Sequence, residues 1–278
     1  MAARAHPAPQ HGFADALVAG VLDDALAHGA RVLGISGLQG TGKSTLAAQL
    51  VATAEARGLQ AVALSLDDFY LDRPQRERLA RDVHPLLATR GPPGTHEVAL
   101  ACDTLDALRA RVPVRLPAFD KLGDRRLPPE RWREAHAVDP GSGPGPALVV
   151  FEGWCLGAPA ESDEALRDPI NALERDEDAD GTWRRWCNAA LARDYPALWR
   201  RIDRLLFLQP PGFGIVPQWR WQQEQALQAR DPSRPGMDRA QVERFVQHYE
   251  RVSRQALRTL PALADRAVRL DEARRPVA

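Results

Sequence analysis

Residues 37–44 read G-L-Q-G-T-G-K-S and have the clearest capacity for chemistry in this chain. They form a complete G-x-x-x-x-G-K-[ST] phosphate-binding pattern, with an apolar run before it and a helix-like stretch, 44–57, after it. Backbone N–H groups and the helix start would bind phosphate oxygens, Lys43 would neutralise their charge, and the Ser44 hydroxyl would ligate Mg²⁺. The predicted nucleotide contacts are Gly37, Leu38, Gln39, Gly40, Thr41, Gly42, Lys43, Ser44 and Thr45.

Lysine is rare in this chain, which strengthens the case for Lys43. Lys43 and Lys121 are the only lysines among 37 strongly basic residues, and the others are all arginine. A compact ammonium fits between the β- and γ-phosphates of a nucleotide, where a planar guanidinium does not. The pattern therefore predicts a nucleoside triphosphate site in which Lys43 acts directly on the reacting phosphates. The alternative is a chance match to the pattern.

Two acidic sites follow apolar runs that are typical of buried strands. Glu152 ends the run A-L-V-V-F-E, where a carboxylate would hold Mg²⁺ directly or through water. Asp67 and Asp68 follow the run 60–66 and would lie at the same edge of the sheet. One of them would accept the proton of an acceptor hydroxyl as it attacks the γ-phosphorus. The alternatives are a surface glutamate and a helix N-cap pair.

Strand-like and helix-like segments alternate along the chain. Strands are predicted at 31–36, 60–66, 147–151, 204–208 and 266–270. Helices are predicted at 13–28, 44–57, 96–111, 214–230 and 238–260, with a charged helical stretch at 158–200. Such alternation is typical of an α/β fold with a parallel sheet covered by helices on both faces, here the P-loop NTPase fold.

The pattern predicts one domain over residues 1–278, with insertions at about 68–145 and 158–200. Residues 1–11 are rich in Ala, Pro and His and are expected to be frayed. Residues 139–146 read D-P-G-S-G-P-G-P, which predicts a surface loop. Thr95 is a candidate cap for the helix at 96–111.

Composition narrows the range of functions. The formal net charge is zero, so no overall field recruits nucleic acid or an acidic membrane. Three scattered cysteines indicate reduced thiols in a cytosolic protein rather than disulfides or a zinc site. No apolar run approaches the length of a membrane-spanning helix. The guanine-reading N-K-x-D pattern and the L-S-G-G-Q signature of transporter ATPases are both missing. The oligomeric state is left open.

The motifs together resemble a known group of kinases. S-L-D-D-F-Y at 65–70, with the phosphate loop before it and F-E-G-W after it, resembles the uridine kinase, phosphoribulokinase and pantothenate kinase superfamily. The closer resemblance is to the D-glycerate 3-kinase family, and it covers about residues 30–260. It rests on R-G-P-P-G-T-H-E at 90–97, L-P-A-F-D-K at 116–121, G-D-R at 123–125, F-E-G-W-C-L-G at 151–157, I-N-A-L-E at 170–174, Q-W-R-W-Q-Q-E at 218–224 and Q-V-E-R-F-V-Q-H-Y at 241–249.

The resemblance implies an ATP- and Mg²⁺-dependent kinase for a small hydroxy acid, most simply D-glycerate. Asp67 would be the base and Glu152 the magnesium-side carboxylate. The segment 212–224, with Arg220, would close over ATP. The groups expected to face the acceptor are Asp67, Tyr70, His96, Lys121 and Arg125. Only Leu122 separates D-K from G-D-R here, where the family is expected to have a longer stretch.

Each of these assignments has an alternative. His96 could cap a helix, and Arg125 and Arg126 could form a solvated pair. Arg220 could lie on a solvated helix face. At the level of function, the alternatives are a kinase for a uridine-like or pantothenate-like acceptor and an ATP-binding regulator that has no acceptor.

Overall fold

The computed structural model describes residues 12–135, 148–231 and 236–277. The expected fraying of residues 1–11, the predicted loop at 139–146 and most of the predicted turn at 231–236 lie outside the described residues. The model has a central parallel sheet, two small antiparallel ribbons and helices on both sides of the sheet.

The strands agree closely with the apolar runs of the sequence. Their bounds are β1 Val32–Gly37, β2 Ala61–Ser65, β3 Val114–Leu116, β4 Phe119–Asp120, β5 Arg125–Arg126, β6 Arg133–Ala135, β7 Leu148–Gly153, β8 Arg204–Gln209 and β9 Arg266–Arg269. The central sheet has the order β2-β7-β1-β8-β9, and each neighbouring pair is parallel. β3 pairs with β6, and β4 with β5, as antiparallel ribbons.

The helices separate into those that cover the sheet and those of the later insertion. Their bounds are α1 Asp15–Ala27, α2 Lys43–Ala56, α3 Arg73–Asp82, α4 Val98–Arg109, α5 Ala172–Glu177, α6 Thr182–Arg193, α7 Tyr195–Trp199, α8 Val216–Arg230 and α9 Arg239–Leu263. Among the described residues, none of these helices is long and apolar enough to cross a bilayer.

The core lies on both faces of the sheet, as successive strand residues point to opposite sides. In β1, Leu33 and Ile35 pack with α1 and α2 on one face. On the other face, Val149 and Phe151 of β7 join a larger cluster that includes residues of α4, α7 and α9. The parallel sheet covered on both faces is confirmed. The division into one domain with two insertions stays a prediction.

Two local expectations are wrong. Thr95 does not cap α4, since its hydroxyl donates to the Pro92 carbonyl and accepts from the Gly91 N–H. α4 begins three residues later. The stretch 158–200 is not one helical region, because residues 158–171 contain no helix and the remainder forms three short helices. Pro169 and Gly181 interrupt the helical pattern, as these residue types commonly do.

Candidate active site

The phosphate loop connects β1 to α2 and packs beneath α8. Gly40 has φ +83°, and a Cβ built there would lie 2.6 Å from the Cβ of Trp219. A side chain at position 40 would therefore be strained and would also displace α8. The Thr41 hydroxyl donates to the Leu38 carbonyl at 2.9 Å, which closes the loop on itself. The loop thus has the compact shape that its glycine spacing predicts.

Lys43 begins α2 and is buried. Its Nζ donates to the Leu38 carbonyl at 3.0 Å. Burial lowers the pKa of Lys43 from its ordinary value, while the carboxylates of Glu152 and Asp67 act in the opposite direction. A buried ammonium that donates to a neutral carbonyl is well suited to pair with phosphate oxygens instead.

Glu152 lies at the carboxyl end of β7, between the phosphate loop and β2. Its Oε1 accepts from the Ser44 hydroxyl at 2.8 Å and from the Ser65 hydroxyl at 2.9 Å. Its side chain is almost fully buried. The parallel register places it here, because Glu152 pairs with Ser65 of β2 and with Ile35 of β1. It is therefore a positioned carboxylate and not a surface glutamate.

The donors near Ser44 suit a magnesium ion that arrives with a nucleotide. Among the described residues, no group of three or more His, Cys, Asp or Glu side chains could hold a metal ion. The Ser44 hydroxyl and the Glu152 carboxylate are hard oxygen donors within one hydrogen bond of each other. Mg²⁺ usually takes one or two protein carboxylates and completes its shell with phosphates and water. This donor set fits that pattern.

Asp67 lies at the carboxyl end of β2 and contacts two groups from the predicted acceptor side. Its Oδ2 is 2.6 Å from Lys121 Nζ, and its Oδ1 accepts from the Tyr70 hydroxyl at 2.6 Å. Burial alone would raise the pKa of Asp67. The charge and hydrogen bond of Lys121, together with the Tyr70 hydroxyl, outweigh burial and hold its pKa well below the ordinary value. Asp67 is therefore ionised at neutral pH.

Asp68 has a different environment, although it is the next residue. Its Oδ1 accepts from the backbone N–H of Phe119 at 3.3 Å. Burial raises the pKa of Asp68 to about 7, against the opposing effect of Lys121. Neither carboxylate caps a helix, because Ser65 is the N-cap residue of the short 3₁₀ turn that holds both of them.

His96 packs against Tyr70 in the same cluster. The two ring centroids are 5.0 Å apart, and the two residues form an isolated antiparallel bridge. His96 Nδ1 lies 2.6 Å from the hydroxyl of Tyr195. Burial lowers the pKa of His96 to about 4, with the charge of Asp67 acting against it. His96 is therefore neutral at pH 7 and does not cap α4, which begins after Glu97.

The two arginines of β5 have different surroundings. Arg125 is exposed and lines a groove with Asp72 and Trp132. Arg126 is mostly buried, pairs with Glu97 at 2.5 Å and donates to the Tyr70 carbonyl at 2.8 Å. Arg126 is thus neither solvated nor free for an acceptor. The role of Arg125 toward the acceptor stays a prediction.

Arg220 lies on α8, whose Trp219 packs over the phosphate loop. Its guanidinium pairs with Glu224 at 2.9 Å and lies 5.7 Å from the centroid of the Phe245 ring. Its side chain is only 13% exposed, so the alternative that Arg220 lies on a solvated helix face is wrong. Its role in ATP binding stays a prediction.

Several residues near the site were not predicted from the sequence. Arg90 begins the R-G-P-P-G-T-H-E motif, pairs with Asp124 at 2.6 Å and lies 5.7 Å from the Phe119 ring centroid. Asp124, the middle residue of G-D-R, also pairs with the buried Arg76 at 2.7 Å. Arg90 and Asp124 could have been identified from the sequence, because both belong to motifs that carry the family resemblance. Tyr195 belongs to no motif considered above.

The C-terminal turn 271–275 also reaches the phosphate loop. Arg274 donates to the Gly40 carbonyl at 2.6 Å and to the Gln222 side chain at 2.9 Å. Its guanidinium lies 4.8 Å from the centroid of the Trp219 ring, and the Trp219 indole N–H donates to the Glu272 carbonyl at 2.9 Å. The loop is therefore held by α8 and by this turn together.

Motifs that are far apart in the sequence meet behind the site. Trp154, from F-E-G-W, packs edge-on against Tyr249, from Q-H-Y, with centroids 5.0 Å apart. The Tyr249 hydroxyl donates to the Arg90 carbonyl at 2.8 Å. These contacts connect β7, α9 and the 90–97 loop, so the motifs form one structural unit.

Comparison with known proteins agrees with this geometry. A solved D-glycerate 3-kinase from Cryptococcus neoformans is 27% identical, with a TM-score of 0.78 over 95% of this chain and 99% of that one. The chloroplastic D-glycerate 3-kinase of Arabidopsis thaliana is 29% identical over 88% of this chain, which spans only 54% of that protein. An uncharacterized kinase of Schizosaccharomyces pombe, mug58, is 35% identical over 227 residues, 78% of each chain.

The chain belongs to the D-glycerate 3-kinase family of P-loop kinases. No protein-family model matches it. Membership in this family makes the protein a small-molecule kinase that uses ATP, and it confirms the P-loop NTPase fold. The pairs Ser44–Glu152 and Asp67–Lys121 lie at one edge of the sheet, and their roles in the reaction stay predictions.

Proposed function

We propose that this kinase transfers the γ-phosphoryl group of ATP to the 3-hydroxyl of D-glycerate, giving 3-phosphoglycerate and ADP. The single observation that carries the proposal is the position of Asp67 between the two lysines. It pairs directly with Lys121, and its charge also acts on Lys43 in the phosphate loop. A carboxylate placed between a phosphate-binding lysine and a second cation can bring a hydroxyl and a γ-phosphate together.

The phosphate loop would hold the donor. Its backbone N–H groups and the start of α2 bind phosphate oxygens. Lys43 exchanges its Leu38 carbonyl contact for the β- and γ-phosphates. The Ser44 hydroxyl and Glu152 would hold Mg²⁺ directly or through water, and such an ion would supply positive charge next to the phosphates.

Asp67 would orient the acceptor. Because it is ionised at neutral pH, it can accept a hydrogen bond from the 3-hydroxyl and take the proton as the new O–P bond forms. The bond between the γ-phosphorus and the bridging oxygen breaks, and ADP leaves. The transition state is largely loose, so alignment of the hydroxyl contributes more than the basicity of Asp67.

The acceptor side is suited to an anion. Lys121 can contact both Asp67 and the carboxylate of a hydroxy acid, since its ammonium has three donors. Arg90 and Tyr70 supply further positive charge and a hydroxyl close by. A neutral acceptor such as uridine would bring no negative charge to the remaining donors of Lys121, which favours a small acid.

The segment 212–224 is proposed as the lid that closes over ATP and excludes water. For Arg220 to contact a phosphate, it must exchange its ion pair with Glu224. Reduced, buried thiols at all three cysteines support a cytosolic setting for the reaction. No role for nucleic acid or a membrane is proposed.

A coupled ADP-release assay with a panel of acceptors tests the proposal. D-glycerate is expected to give the highest kcat/KM, well above L-glycerate, uridine and pantothenate. Higher turnover of uridine or pantothenate would contradict the proposed acceptor while leaving the kinase assignment intact. ATP binding with no turnover of any acceptor would favour a regulator.

A further inference from the structure

A buried chain of hydrogen bonds joins the 90–97 loop to α7. The backbone N–H of Gly94 donates to the Tyr195 hydroxyl oxygen at 3.0 Å, and that oxygen lies 2.6 Å from His96 Nδ1. Tyr195 has no exposed surface and His96 is 5% exposed. The three residues come from two segments about 100 positions apart, so these hydrogen bonds exist only in the folded protein.

The direction of these hydrogen bonds follows from the first donor, the backbone N–H of Gly94. A backbone N–H can only donate, so the Tyr195 oxygen accepts from Gly94. Burial raises the pKa of the Tyr195 hydroxyl well above its ordinary value, so the hydroxyl keeps its proton. Among the described residues, the hydroxyl has hydrogen-bond contacts with the Gly94 N–H and with His96 Nδ1, and of these two only Nδ1 can accept. The tyrosine therefore donates to Nδ1.

This contact fixes the tautomer of His96. In a neutral imidazole one nitrogen accepts and the other carries the proton. Because Nδ1 accepts from Tyr195, the proton must be on Nε2. Nε2 is buried and has no hydrogen-bond partner among the described residues. A buried donor without a partner is unfavourable, and in native structures it commonly indicates a missing ligand or water.

The surroundings of His96 indicate what that ligand is. Its ring packs on Tyr70, whose hydroxyl donates to Asp67, and Lys121 is on the other side of Asp67. The charge of Asp67 acts on the His96 ring. His96 therefore belongs to the group of side chains proposed above to surround the acceptor, and it contributes a neutral N–H donor to that group.

We propose that Tyr195 is a positioning residue that holds His96 as a fixed Nε2–H donor to an anionic oxygen of the acceptor. This inference rests on the proposed function and adds to it the protonation state and the residue that sets it. Without the tyrosine hydroxyl, the proton could move to Nδ1. Nε2 would then present a lone pair, which repels a carboxylate.

The conformation of Gly94 explains the geometry of these hydrogen bonds. Its φ is +90°, and a Cβ built there would lie 2.3 Å from the Trp186 ring. Only glycine fits this conformation and this close contact without strain. The glycine of the G-T-H motif thus aims its N–H at Tyr195, and the histidine two residues later accepts the hydrogen bond of the tyrosine hydroxyl.

The structure also contains an internal reference. His248 is buried, and burial lowers its pKa to about 4, as for His96. Its Nδ1 lies 3.1 Å from the Phe245 carbonyl, which can only accept. His248 must therefore be the Nδ1–H tautomer. The two buried histidines are expected to give opposite tautomers in one protein.

Nitrogen-15 NMR of the full-length protein tests the fixed donor directly. Signals are assigned with the variants His96→Gln and His248→Gln. At pH 7 we expect His96 to show the Nε2–H pattern and His248 the Nδ1–H pattern. Addition of D-glycerate with ADP is expected to shift the His96 Nε2 signal. An Nδ1–H pattern for His96, or no shift on adding the acceptor that the enzyme phosphorylates best, would overturn the inference.

The Tyr195→Phe variant tests the positioning role. We expect the His96 signals to move toward the Nδ1–H pattern, the KM for the acceptor to rise by about 10-fold or more, and the KM for ATP to stay within about twofold. His248→Gln is the matched control and should leave the acceptor KM unchanged. An unchanged His96 tautomer in Tyr195→Phe would contradict the role.

The two proposals fail separately. The tautomer is read without turnover, so an Nδ1–H pattern in the wild-type protein contradicts the fixed donor even if D-glycerate is phosphorylated. If a different hydroxy acid is the better substrate and its KM rises in Tyr195→Phe, the fixed donor is supported and D-glycerate is rejected.

Discussion

Asp67 and Asp68 are neighbours in the sequence, but the pKa values of their carboxyl groups are shifted in opposite directions. Asp67 lies between Lys121 and the Tyr70 hydroxyl, and its pKa is held well below the ordinary value. Asp68 has one backbone N–H donor, and burial raises its pKa to about 7. Two adjacent carboxyl groups can therefore differ in function because their neighbours differ.

Asp67→Asn is expected to lower kcat by about 10² to 10⁴-fold, the usual range for loss of a general base. The KM for ATP should stay nearly constant, because Asp67 is not among the residues proposed to bind ATP. The measurement is steady-state kinetics with ADP release as the readout.

Asp68→Asn is the matched control for that experiment. An asparagine oxygen can still accept the Phe119 N–H bond, so a loss of less than about 10-fold is expected. A larger loss in Asp68→Asn than in Asp67→Asn would make Asp68 the base.

Some site residues could be predicted from the sequence, and others could not. Asp67 and Glu152 follow apolar strands, and the carboxyl ends of parallel strands share one edge of the sheet. Lys121 stood out because lysine is rare in this chain. Adjacent strand residues point to opposite sides, so R-R at 125–126 gives no signal of which arginine is buried. Tyr195 depends on contacts about 100 residues away, which no local pattern encodes.

At the level of elements, the phosphate loop is supported by two segments that come late in the chain. Trp219 of α8 packs on Gly40, and Arg274 of the turn 271–275 bonds to the Gly40 carbonyl and stacks on Trp219. Arg274 has φ +63°, an uncommon conformation for a residue other than glycine. Such a conformation persists where the surrounding contacts hold it in place.

Arg274→Ala is expected to raise the Kd for ADP by about 5- to 30-fold, since the loop loses a charge-assisted hydrogen bond of about 1–2 kcal/mol. The KM for the acceptor should change little. The measurement is calorimetric titration of ADP with Mg²⁺.

Arg275→Ala is the matched control for this variant. Arg275 is mostly exposed and pairs with Asp271 four residues earlier, a type of pair that contributes little. Equal effects of Arg274→Ala and Arg275→Ala would show that the turn acts only through its general stability.

The elements themselves were largely predictable. The bounds of β1, β2, β8 and α2 lie within one or two residues of the apolar and helical patterns. The small ribbons were harder to predict, because β4 and β5 have two residues each, too few for a period of two to be recognised. The 158–200 stretch has helical composition, but its buried ion pairs and breaks depend on tertiary contacts with α9.

For the whole molecule, burial of Asp68 predicts how stability depends on pH. Its folded pKa of about 7 is above the ordinary value of 3.8, so the native state binds more protons than the unfolded state between these values. The contribution of this group to the free energy of unfolding therefore falls as the pH rises from about 4 to about 7, and then levels off.

Urea denaturation of Asp68→Asn and the wild-type protein at pH 5 and pH 8 checks this dependence. The variant should gain stability relative to the wild type on going from pH 5 to pH 8. Asp106→Asn is the control. Because the hydrogen bond from Arg201 lowers the pKa of Asp106, the stability of this variant relative to the wild type should not increase from pH 5 to pH 8. No change with pH in the Asp68→Asn difference would contradict the buried environment.

The strand order also has a consequence for the sequence of events in folding. Among the described residues, β1, which leads into the phosphate loop, pairs with β7 and β8, and Leu33 lies opposite Val150 and Arg204. These partners are more than 100 residues further along the chain, and pairings between distant segments form slowly. During synthesis the phosphate loop is made before β7 and β8, so the strands on either side of β1 cannot pair with it until β8 has left the ribosome. Nucleotide binding should therefore be a late event in the maturation of this kinase.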